Sequence, residues 1–386
     1  MIRARAAVLR RRGAPLSLET LLLAPPGPGD VLVRIRAVGL CHTDLEAITG
    51  QLAVDLPMVP GHEAAGEVAA LGAGVTGLAP RDHVVLSWNP QCGACFYCAQ
   101  GQPILCTQYL GNAARGFHFD GAPRLFCAAP GDAAGGAAEA PPGADRAVRQ
   151  LMYLGAFAEY CVVPAACAVR IPAALAFDQA ALIGCGVMTG VGAATRIAAL
   201  RWGAAAMVIG CGAVGLSAVQ GCRLAGAGQI LAVDPNPARR ALAARLGASA
   251  AVAPDAAVAA ARAMSAGRGA DVVIEAAGTP AAFALSMEAV RPGGQVIWLG
   301  KTAAEAMVAF RWGSLMQEKR ITRSSYGGAR PAQDFPLLAA AALEGRLDLA
   351  ALVSGHIGLD GLDAGFAALQ RGEVVRLVAM LGEDGA

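Results

Sequence analysis

The sequence predicts an α/β protein in which a doubly wound parallel sheet follows a β-rich segment. In the middle of the chain, the apolar run 207–209 leads into a glycine motif at 210–215 and a helical pattern that ends near Leu224. Further continuous apolar runs follow at 229–233, 271–275 and 295–299. Such runs are typical of strands buried on both faces, and their alternation with helical patterns predicts a parallel sheet.

The N-terminal part of the chain favours β structure with glycine turns. Residues 31–39 alternate apolar and polar side chains, as a half-buried strand does, and 82–86 resemble another strand. The Ala/Gly/Pro-rich residues 128–146 are expected to form a surface loop. A helix is expected at 180–197, with an interruption near 184–186.

Helix starts in the second half of the chain are marked by capping residues. Asn236 is predicted to cap a helix that has Pro237 in its first turn and Gly247 at its end. Thr279 and Pro280 are predicted to begin another helix in the same way.

The glycine motif has the spacing of a dinucleotide site. Gly210 permits a tight turn, Gly212 allows a pyrophosphate to approach the backbone, and Gly215 allows helix and strand to pack closely. The N–H groups and the positive dipole end of the following helix attract phosphate. Asp234 ends the next strand, where an acid accepts hydrogen bonds from a ribose 2′-OH. The alternative interpretation is a packing contact of a helix rich in alanine and glycine.

Four cysteines lie close together in the pattern C-x2-C-x2-C-x7-C, at Cys92, Cys95, Cys98 and Cys106. Four thiolates in so short a loop can close a tetrahedral structural zinc site. The rival interpretation is an iron–sulfur cluster, but the fourth cysteine of ferredoxins comes sooner and precedes proline, whereas Cys106 precedes Thr107. The pattern therefore favours structural zinc.

Length and composition narrow the function classes. With 386 residues, two domains are expected, one of residues 181–324 and one of residues 1–180 and 325–386 with the cysteine lobe at about 90–108.

The net charge of +2 gives no electrostatic case for a nucleic-acid partner. No apolar signal-peptide core follows the basic first residues, and an uncharged stretch after Arg201 fits a buried strand and helix better than a membrane span. Cysteines at metal spacing favour a reducing cytoplasm.

Four motifs together resemble a known family. Gly61-His62-Glu63-x-x-Gly66, the cysteine lobe, the segment 184–190 and the glycine turn occur in the order seen in zinc-dependent alcohol dehydrogenases of the medium-chain dehydrogenase/reductase superfamily. The resemblance covers about residues 5–384. It implies a Rossmann dinucleotide domain, a GroES-like catalytic domain, and a homodimer.

The resemblance also implies a catalytic zinc held by Cys41, His62 and Cys185, in addition to the structural zinc, and therefore two zinc ions per chain. Sequence spacing alone does not bring these three residues together, and a single buried Cys or His usually belongs to a core. Catalytic zinc keeps a fourth position open to water or substrate.

Further roles come from the same resemblance. Glu63 resembles a glutamate that approaches the metal as ligands exchange, and Asp44 resembles the carboxylate that orients His62. Thr43 resembles the hydroxyl that takes the alcohol proton, although a turn or cap residue is the alternative. Of the cofactor contacts, His42 and Arg376 resemble pyrophosphate contacts, Arg239 matches a position beside the adenosine ribose, and Thr189 lies in the matched 184–190 motif. The alternative for each basic residue is a solvated surface charge.

Three positions invite comparison with the family pattern. Glu46 stands where many relatives carry a histidine that completes the proton relay, so relay through Glu46 or directly to solvent stays open. Arg81-Asp82 replaces the usual Gly-Asp, so the turn there is expected to differ. Trp88 matches a position that lines the substrate pocket, where its bulk would narrow the pocket; a core residue is the alternative.

The expected activity is reversible hydride transfer between a primary or secondary alcohol and NAD. A close alternative is oxidation of a thiol adduct of formaldehyde, as glutathione- or mycothiol-dependent relatives perform. A third interpretation is a non-catalytic Rossmann binding protein, against which the intact Cys41, His62, Cys185 and Thr43 argue.

Overall fold

The chain divides into two units, each built on its own sheets. The computed structural model describes residues 1–107, 116–118, 120–128, 142–303 and 305–382. The first unit comprises Met1–Cys185, Arg330–Gly345 and Val353–Ala386, and the second comprises Gly186–Ala329 and Arg346–Leu352.

The segment Arg346–Leu352 belongs to the second unit, whereas the sequence predicted that all of residues 325–386 belong to the first. Its attachment is specific, because the side-chain amide of Gln220 donates to the Asp348 carbonyl (3.2 Å) and accepts from the Asp348 N–H (2.7 Å). Arg223 also donates to the carbonyl of Arg346 at 2.6 Å. Amide pairing between residues 128 positions apart has no local sequence pattern.

The first 185 residues supply most of the β structure of the first unit. Its strands here are β1 (Ile2–Val8), β2 (Ser17–Leu23), β3 (Asp30–Gly39), β4 (Met58–Val59), β5 (Ala64–Leu71), β6 (His83–Leu86), β7 (Leu125–Cys127), β8 (Ala147–Gln150), β9 (Tyr160–Pro164) and β10 (Ala168–Arg170). Its helices here are α1 (His42–Thr49), α2 (Phe96–Ala99) and α3 (Phe177–Leu182). The strands expected at 31–39 and 82–86 thus correspond to β3 and β6. Of the expected loop 128–146, residues 129–141 lie outside the described residues.

The second unit has the predicted doubly wound parallel sheet. Its strands are β11 (Ala205–Ile209), β12 (Gln229–Val233), β13 (Ala250–Val252), β14 (Ala270–Glu275), β15 (Val290–Trp298) and β16 (Arg320–Arg323). Its helices are α4 (Met188–Gly192), α5 (Ala213–Leu224), α6 (Pro237–Arg245), α7 (Ala257–Ala263), α8 (Pro280–Ala289) and α9 (Trp312–Leu315). All neighbouring strands pair in parallel, in the order β13-β12-β11-β14-β15-β16. The strand order therefore reverses between β11 and β14, where dinucleotides bind in such sheets.

The chain then returns to the first unit. The returning elements are α10 (Pro331–Leu343), β17 (Gly355–Ile357), α11 (Leu362–Gln370) and β18 (Leu377–Met380). Strand β18 pairs antiparallel with β3 and completes a sheet of order β10-β6-β5-β3-β18-β17, with β9 also paired to β3. A second sheet has the order β1-β2-β7-β8-β4. Phe366 of α11 packs edge-on against Phe157 in the core of this unit.

The predicted helix caps are present in the second unit. The Asn236 side chain accepts hydrogen bonds from the N–H groups of Ala238 and Arg239, and Pro237 begins α6. Thr279 accepts from the Ala282 N–H at the start of α8. These side chains satisfy backbone donors that have no partner within the helix, which explains why both helices begin where their sequences predict.

A helical run spans Phe177–Ile197 and includes two π-helical turns, Ile183–Val187 and Ala193–Ile197. The predicted interruption near 184–186 is the first of these turns. The run is long and apolar enough to cross a membrane, but 72% of its most apolar window is buried inside the protein, as in the core helix of a soluble protein. The uncharged stretch after Arg201 forms β11 and α5, as expected.

The turn at Arg81 keeps a conformation that glycine favours. Arg81 has a φ of 73°, its N–H donates to the Val68 carbonyl, and the Asp82 carboxylate accepts from the Ala79 N–H at 2.8 Å. Left-handed backbone costs a non-glycine residue about 1–2 kcal/mol. The backbone of Arg81 is therefore strained, and these hydrogen bonds stabilise it in the left-handed conformation.

Candidate active site

Three residues that are distant in sequence converge in the first unit. Cys41 precedes α1, His62 lies just before β5, and Cys185 lies in the first π-helical turn. Their sulfur and nitrogen atoms all lie within 4.8 Å of one another. The Cys185 Sγ is 3.4 Å from the His62 Nε2. A tetrahedral zinc places thiolate sulfur and imidazole nitrogen about 3.5 Å apart, so this geometry fits the ion.

Two glycines allow this convergence. Gly61 has a φ of 99°, and a Cβ there would lie 2.5 Å from the backbone nitrogen of Phe157. A Cβ on Gly184 would lie 2.8 Å from the Leu86 carbonyl oxygen at the end of β6. The neighbouring ligands His62 and Cys185 therefore depend on close backbone approaches that a side chain would prevent.

The buried carboxylate of Asp44 connects two of the ligands. Its Oδ1 lies 3.0 Å from the His62 Nδ1 and accepts from the Gly61 N–H at 2.9 Å. Its Oδ2 accepts from the Cys41 N–H at 3.3 Å. A hydrogen bond at Nδ1 directs the imidazole Nε2 toward the two thiols, which is the tautomer a metal needs.

The electrostatics of the site favour a thiolate. A hydrogen bond from Cys185, together with the nearby charges of His62 and Arg376, lowers the pKa of the Cys41 thiol well below its ordinary value, against the effect of burial. Thiolates rather than thiols bind zinc. The donor set of two cysteines and one histidine is that of a catalytic zinc with one open position.

Glu63 and Arg376 form a buried ion pair in the same unit. The Arg376 Nε lies 3.2 Å from the Glu63 Oε1, and both side chains are less than 5% exposed. Arg376 also donates to the Leu40 carbonyl, next to Cys41. Burial acts to lower the pKa of Arg376, but the Glu63 carboxylate and the Cys41 thiolate outweigh it and raise the pKa. Both residues thus lie beside the proposed ligand set; the resemblance implied this position for Glu63 but not its pairing with Arg376.

The remaining predicted residues of this unit lie on α1. His42 is exposed, whereas Thr43 and Glu46 are half-buried. The helix begins directly after Cys41, so Thr43 lies in its first turn, two residues beyond a ligand. Trp88 follows β6 and packs against the core of the unit.

The four cysteines of the lobe form a second ligand set. Their sulfur atoms lie within 4.8 Å of one another, with Cys92–Cys98 and Cys95–Cys106 distances of 3.9 Å. Four thiolates around one zinc lie about 3.8 Å apart. A hydrogen bond from the Cys98 backbone leads the effects that lower the pKa of Cys95 to about 6. The four thiolates of an iron–sulfur cluster are shared among two or four iron atoms, so some of them lie farther apart than the four sulfur atoms here. The geometry therefore favours a single ion.

In the second unit, the three glycines of the motif differ in their surroundings. Gly210 has a φ of 88°, and a Cβ on it would lie 2.8 Å from the Ala277 nitrogen. A Cβ on Gly215 would lie 1.7 Å from the Gly210 carbonyl oxygen, so the helix and the turn need glycine there. Gly212 has no such neighbour within 4 Å. The motif therefore has one glycine in open space at the start of α5, where a phosphate would bind.

Asp234 lies beside this turn and is buried. Its Oδ2 accepts from the Cys211 N–H at 2.7 Å and its Oδ1 accepts from the Asn236 N–H at 2.8 Å. Each carboxylate oxygen keeps a further lone pair that a ribose hydroxyl can use. The Arg240 guanidinium donates to the carbonyls of Asp234 and Pro235, so it braces the backbone of this loop. Arg239 is the neighbouring basic residue.

Thr189 lies on α4, which packs closely against the start of α5. A Cβ on the adjacent Gly190 would lie 2.2 Å from the Val214 carbonyl oxygen. This contact brings the 184–190 motif to the helix that follows the glycine turn. The buried Glu275 of β14 was not among the predicted site residues. Its only sequence signal is the position of an acid at the end of an apolar strand.

The fold and these two kinds of site define a metal-dependent oxidoreductase with a dinucleotide cofactor. Two family models match the chain, an alcohol dehydrogenase GroES-like domain over residues 27–173 and a zinc-binding dehydrogenase domain over residues 213–344. An alcohol dehydrogenase class-3 of Cereibacter sphaeroides is 32% identical, with 98% of this chain and 100% of the relative covered. An S-(hydroxymethyl)glutathione dehydrogenase of Photobacterium damsela subsp. piscicida is 31% identical, with 98% and 99% covered. The structure of benzyl alcohol dehydrogenase from Acinetobacter calcoaceticus superposes with a TM-score of 0.89 at 27% identity, with 99% and 100% covered.

The chain belongs to the zinc-dependent alcohol dehydrogenases of the medium-chain dehydrogenase/reductase superfamily. It is an enzyme, a zinc-dependent alcohol oxidoreductase that uses a nicotinamide cofactor. The predicted family, the Rossmann-like and GroES-like fold, and the class of activity are thereby confirmed.

We expect two zinc ions per chain, because the two ligand sets are separate. Elemental analysis of freshly purified protein measures the metal content directly. Cys98→Ser should lower the melting temperature by roughly 5–10 °C, since a structural zinc stabilises the fold. Cys185→Ser should abolish turnover with a smaller effect on melting. Stoichiometric iron with inorganic sulfide would contradict the assignment of the lobe.

Gly212→Ala should mainly weaken NADH binding, whereas Gly215→Ala should mainly lower the stability of the fold. Among the described residues, no atom lies within 4 Å of a methyl group on Gly212, so the melting temperature should stay within about 2 °C while NADH binding weakens on the order of 10-fold or more. A methyl group on Gly215 overlaps the Gly210 carbonyl and should cost roughly 3 kcal/mol of stability. Thermal melts and fluorescence titration with NADH measure both effects. Unchanged NADH affinity in Gly212→Ala would contradict a phosphate site at this glycine.

Proposed function

We propose that this enzyme transfers hydride reversibly between a primary or secondary alcohol and NAD, giving an aldehyde or ketone. The observation that carries the proposal is the convergence of Cys41, His62 and Cys185 within 4.8 Å. When bound, zinc lowers the pKa of an alcohol hydroxyl, and the nicotinamide ring accepts hydride. The first unit is then the catalytic domain and the second unit is the dinucleotide domain.

Each residue around the ligands has a distinct proposed role. Asp44 orients His62 through Nδ1, and Thr43 takes the proton of the alcohol hydroxyl. Glu46 passes that proton on, or solvent receives it directly. The ion pair with Arg376 balances the charge of Glu63 beside the ligands, a position from which Glu63 can approach the metal during ligand exchange. The cofactor roles of His42, Thr189, Arg239 and Arg376 stay predictions.

A second candidate function is oxidation of the thiol adduct of formaldehyde. The 31% identity to an S-(hydroxymethyl)glutathione dehydrogenase favours keeping it. The test is an NADH-absorbance assay over aliphatic, aromatic and allylic alcohols, with parallel reactions of formaldehyde plus glutathione or mycothiol. Turnover of free alcohols without thiol supports the main proposal. Turnover only with formaldehyde and a thiol would replace it with the alternative.

We also propose a cytoplasmic homodimer. Three large apolar side chains of one segment of the second unit, Met307, Trp312 and Met316, are each exposed. Exposed apolar surface of this kind supports self-association. Light scattering coupled to size-exclusion chromatography measures the mass against the chain mass of 38.8 kDa.

The enzyme should prefer NAD over NADP. The Asp234 carboxylate binds a ribose 2′-OH and repels a 2′-phosphate, and Arg240 is already engaged with two loop carbonyls, so it offers that phosphate little compensation. Asp234→Ala should weaken NAD binding and narrow the preference. Initial rates at varied NAD and NADP provide kcat/KM for each. Equal or higher kcat/KM with NADP for the wild-type enzyme would refute this role of Asp234.

Thr43 should matter far more for proton transfer than Glu46. Thr43→Ala should lower kcat on the order of 10²-fold or more, whereas Thr43→Ser should retain most activity because the hydroxyl survives. Glu46→Gln should change the pH profile only modestly. The measurement is kcat against pH for the three variants. If Thr43→Ala turned over normally while Glu46→Gln did not, the relay would begin at Glu46.

A further inference from the structure

A buried carboxylate without an assigned role lies at the carboxyl end of β14 in the second unit. The side chain of Glu275 is fully buried. The strand pairs with β11 on one side and β15 on the other, through Ile209 and Trp298 opposite Glu275. Glu275 therefore lies on a central strand of the parallel sheet. It is at the carboxyl end of that strand, the end at which such sheets bind ligands.

The carboxylate organises the turn that follows its own strand. Its Oε1 accepts from the N–H groups of Ala277 and Gly278, both at 2.7 Å. Gly278 has a φ of 71°, a conformation that these two hydrogen bonds stabilise. The N–H groups of two consecutive residues therefore point toward the same carboxylate oxygen.

The end of the next strand packs against the same carboxylate. The backbone carbonyl of Glu275 accepts from the N–H groups of Leu299 and Gly300. A Cβ on Gly300 would lie 2.5 Å from the Glu275 Oε2 and 2.3 Å from the Gly278 nitrogen. Glu275, the 276–278 turn and Gly300 are therefore in mutual contact, with no room for another side chain.

The 276–278 turn also contacts the glycine motif. The Ala276 N–H donates to the Ile209 carbonyl at 2.8 Å, and the Ala277 backbone lies against Gly210. The contacts of Glu275 consequently continue to the residue where the proposed dinucleotide turn begins.

The burial of this carboxylate carries an energetic cost. Burial raises the pKa of Glu275, although the Gly278, Ala277 and Gly300 backbone donors and the charge of Arg323 oppose it. The Oε2 atom has no hydrogen-bond partner within the described part of the chain. A buried carboxylate oxygen without a hydrogen bond is rare and unfavourable.

The topology indicates which part of the cofactor this turn faces. A doubly wound sheet consists of two mononucleotide-binding halves. The half containing β11, β12 and β13 carries Asp234 and therefore takes the adenosine side, if the proposed cofactor is correct. The half containing β14, β15 and β16 then takes the nicotinamide side, and Glu275 is at the end of its first strand.

We propose that Glu275 is a positioning residue for the nicotinamide mononucleotide half of the cofactor, acting through the 276–278 turn and Gly300. This inference rests on the proposed dinucleotide site. The carboxylate makes no direct contact with the cofactor in this role. It sets the backbone on which that half of the cofactor lies.

The test compares NADH with AMP, which lacks the whole nicotinamide mononucleotide half. In Glu275→Leu the Kd for NADH should rise on the order of 10-fold, because both backbone donors of the turn lose their acceptor, while the Kd for AMP stays within about twofold. Glu275→Gln retains an acceptor oxygen of the same reach and should restore NADH binding. Glu275→Asp is shorter and should behave like Glu275→Leu. The exposed Glu288→Gln is the matched control, and thermal melts monitor folding.

The outcomes separate the possibilities. Unchanged NADH affinity in both Glu275→Leu and Glu275→Asp would overturn the inference. Equal losses for NADH and AMP would also overturn it, because they indicate a general structural role. If Glu275→Leu does not fold, the comparison of Glu275→Asp with Glu275→Gln decides between the same results. Wild-type enzyme that binds neither compound would overturn the proposed function and the inference together.

Discussion

The hydrogen bonds of Asp44 are the constraint on which the convergence of Cys41 and His62 in the first unit depends. One buried carboxylate accepts from the backbone of Cys41 and Gly61 and faces the Nδ1 of His62. It therefore sets the start of α1, the turn before β5 and the orientation of a ligand at once. An uncompensated buried charge would be unstable, so these polar partners and the carboxylate require one another. The third ligand, Cys185, reaches the same point from a π-helical turn, where a locally widened helix often serves a functional site.

Close backbone contacts at glycine perform a similar task in both units. Gly61 lets its segment approach the backbone of Phe157 and Gly184 lets its segment approach β6 in the first unit, and Gly215 lets α5 pack on the turn in the second. In each case a methyl group would overlap a backbone atom rather than a movable side chain. The sites are consequently defined by backbone geometry, and side chains such as Asp44 and Glu275 stabilise that geometry through backbone hydrogen bonds.

Much of the site was predictable wherever its residues are neighbours in sequence. The cysteine lobe, the glycine turn and the Asn236 cap are local, so residue type and spacing are sufficient to identify them. The Glu63–Arg376 pair and the Gln220–Asp348 contact join residues from distant parts of the chain. The periodicity of apolar residues along the chain does not predict such pairs, because it describes only local segments. At Arg81, by contrast, the residue type argues against the local conformation that the structure shows. Arginine is unfavourable in a left-handed turn, but the surrounding hydrogen bonds stabilise it there.

By itself, the sequence determined the doubly wound sheet, the helix starts and the ligand chemistry of the lobe, because strand burial, capping and metal preference act over a few residues. Only the tertiary structure decided that Cys185 lies 3.4 Å from His62 across a separation of 123 residues. It also decided that Asp234 shares its carboxylate with the glycine turn and that Glu275 supports a second turn. These contacts form when packed strands bring remote backbone donors to buried acids, and the requirement that buried polar groups find partners selects them.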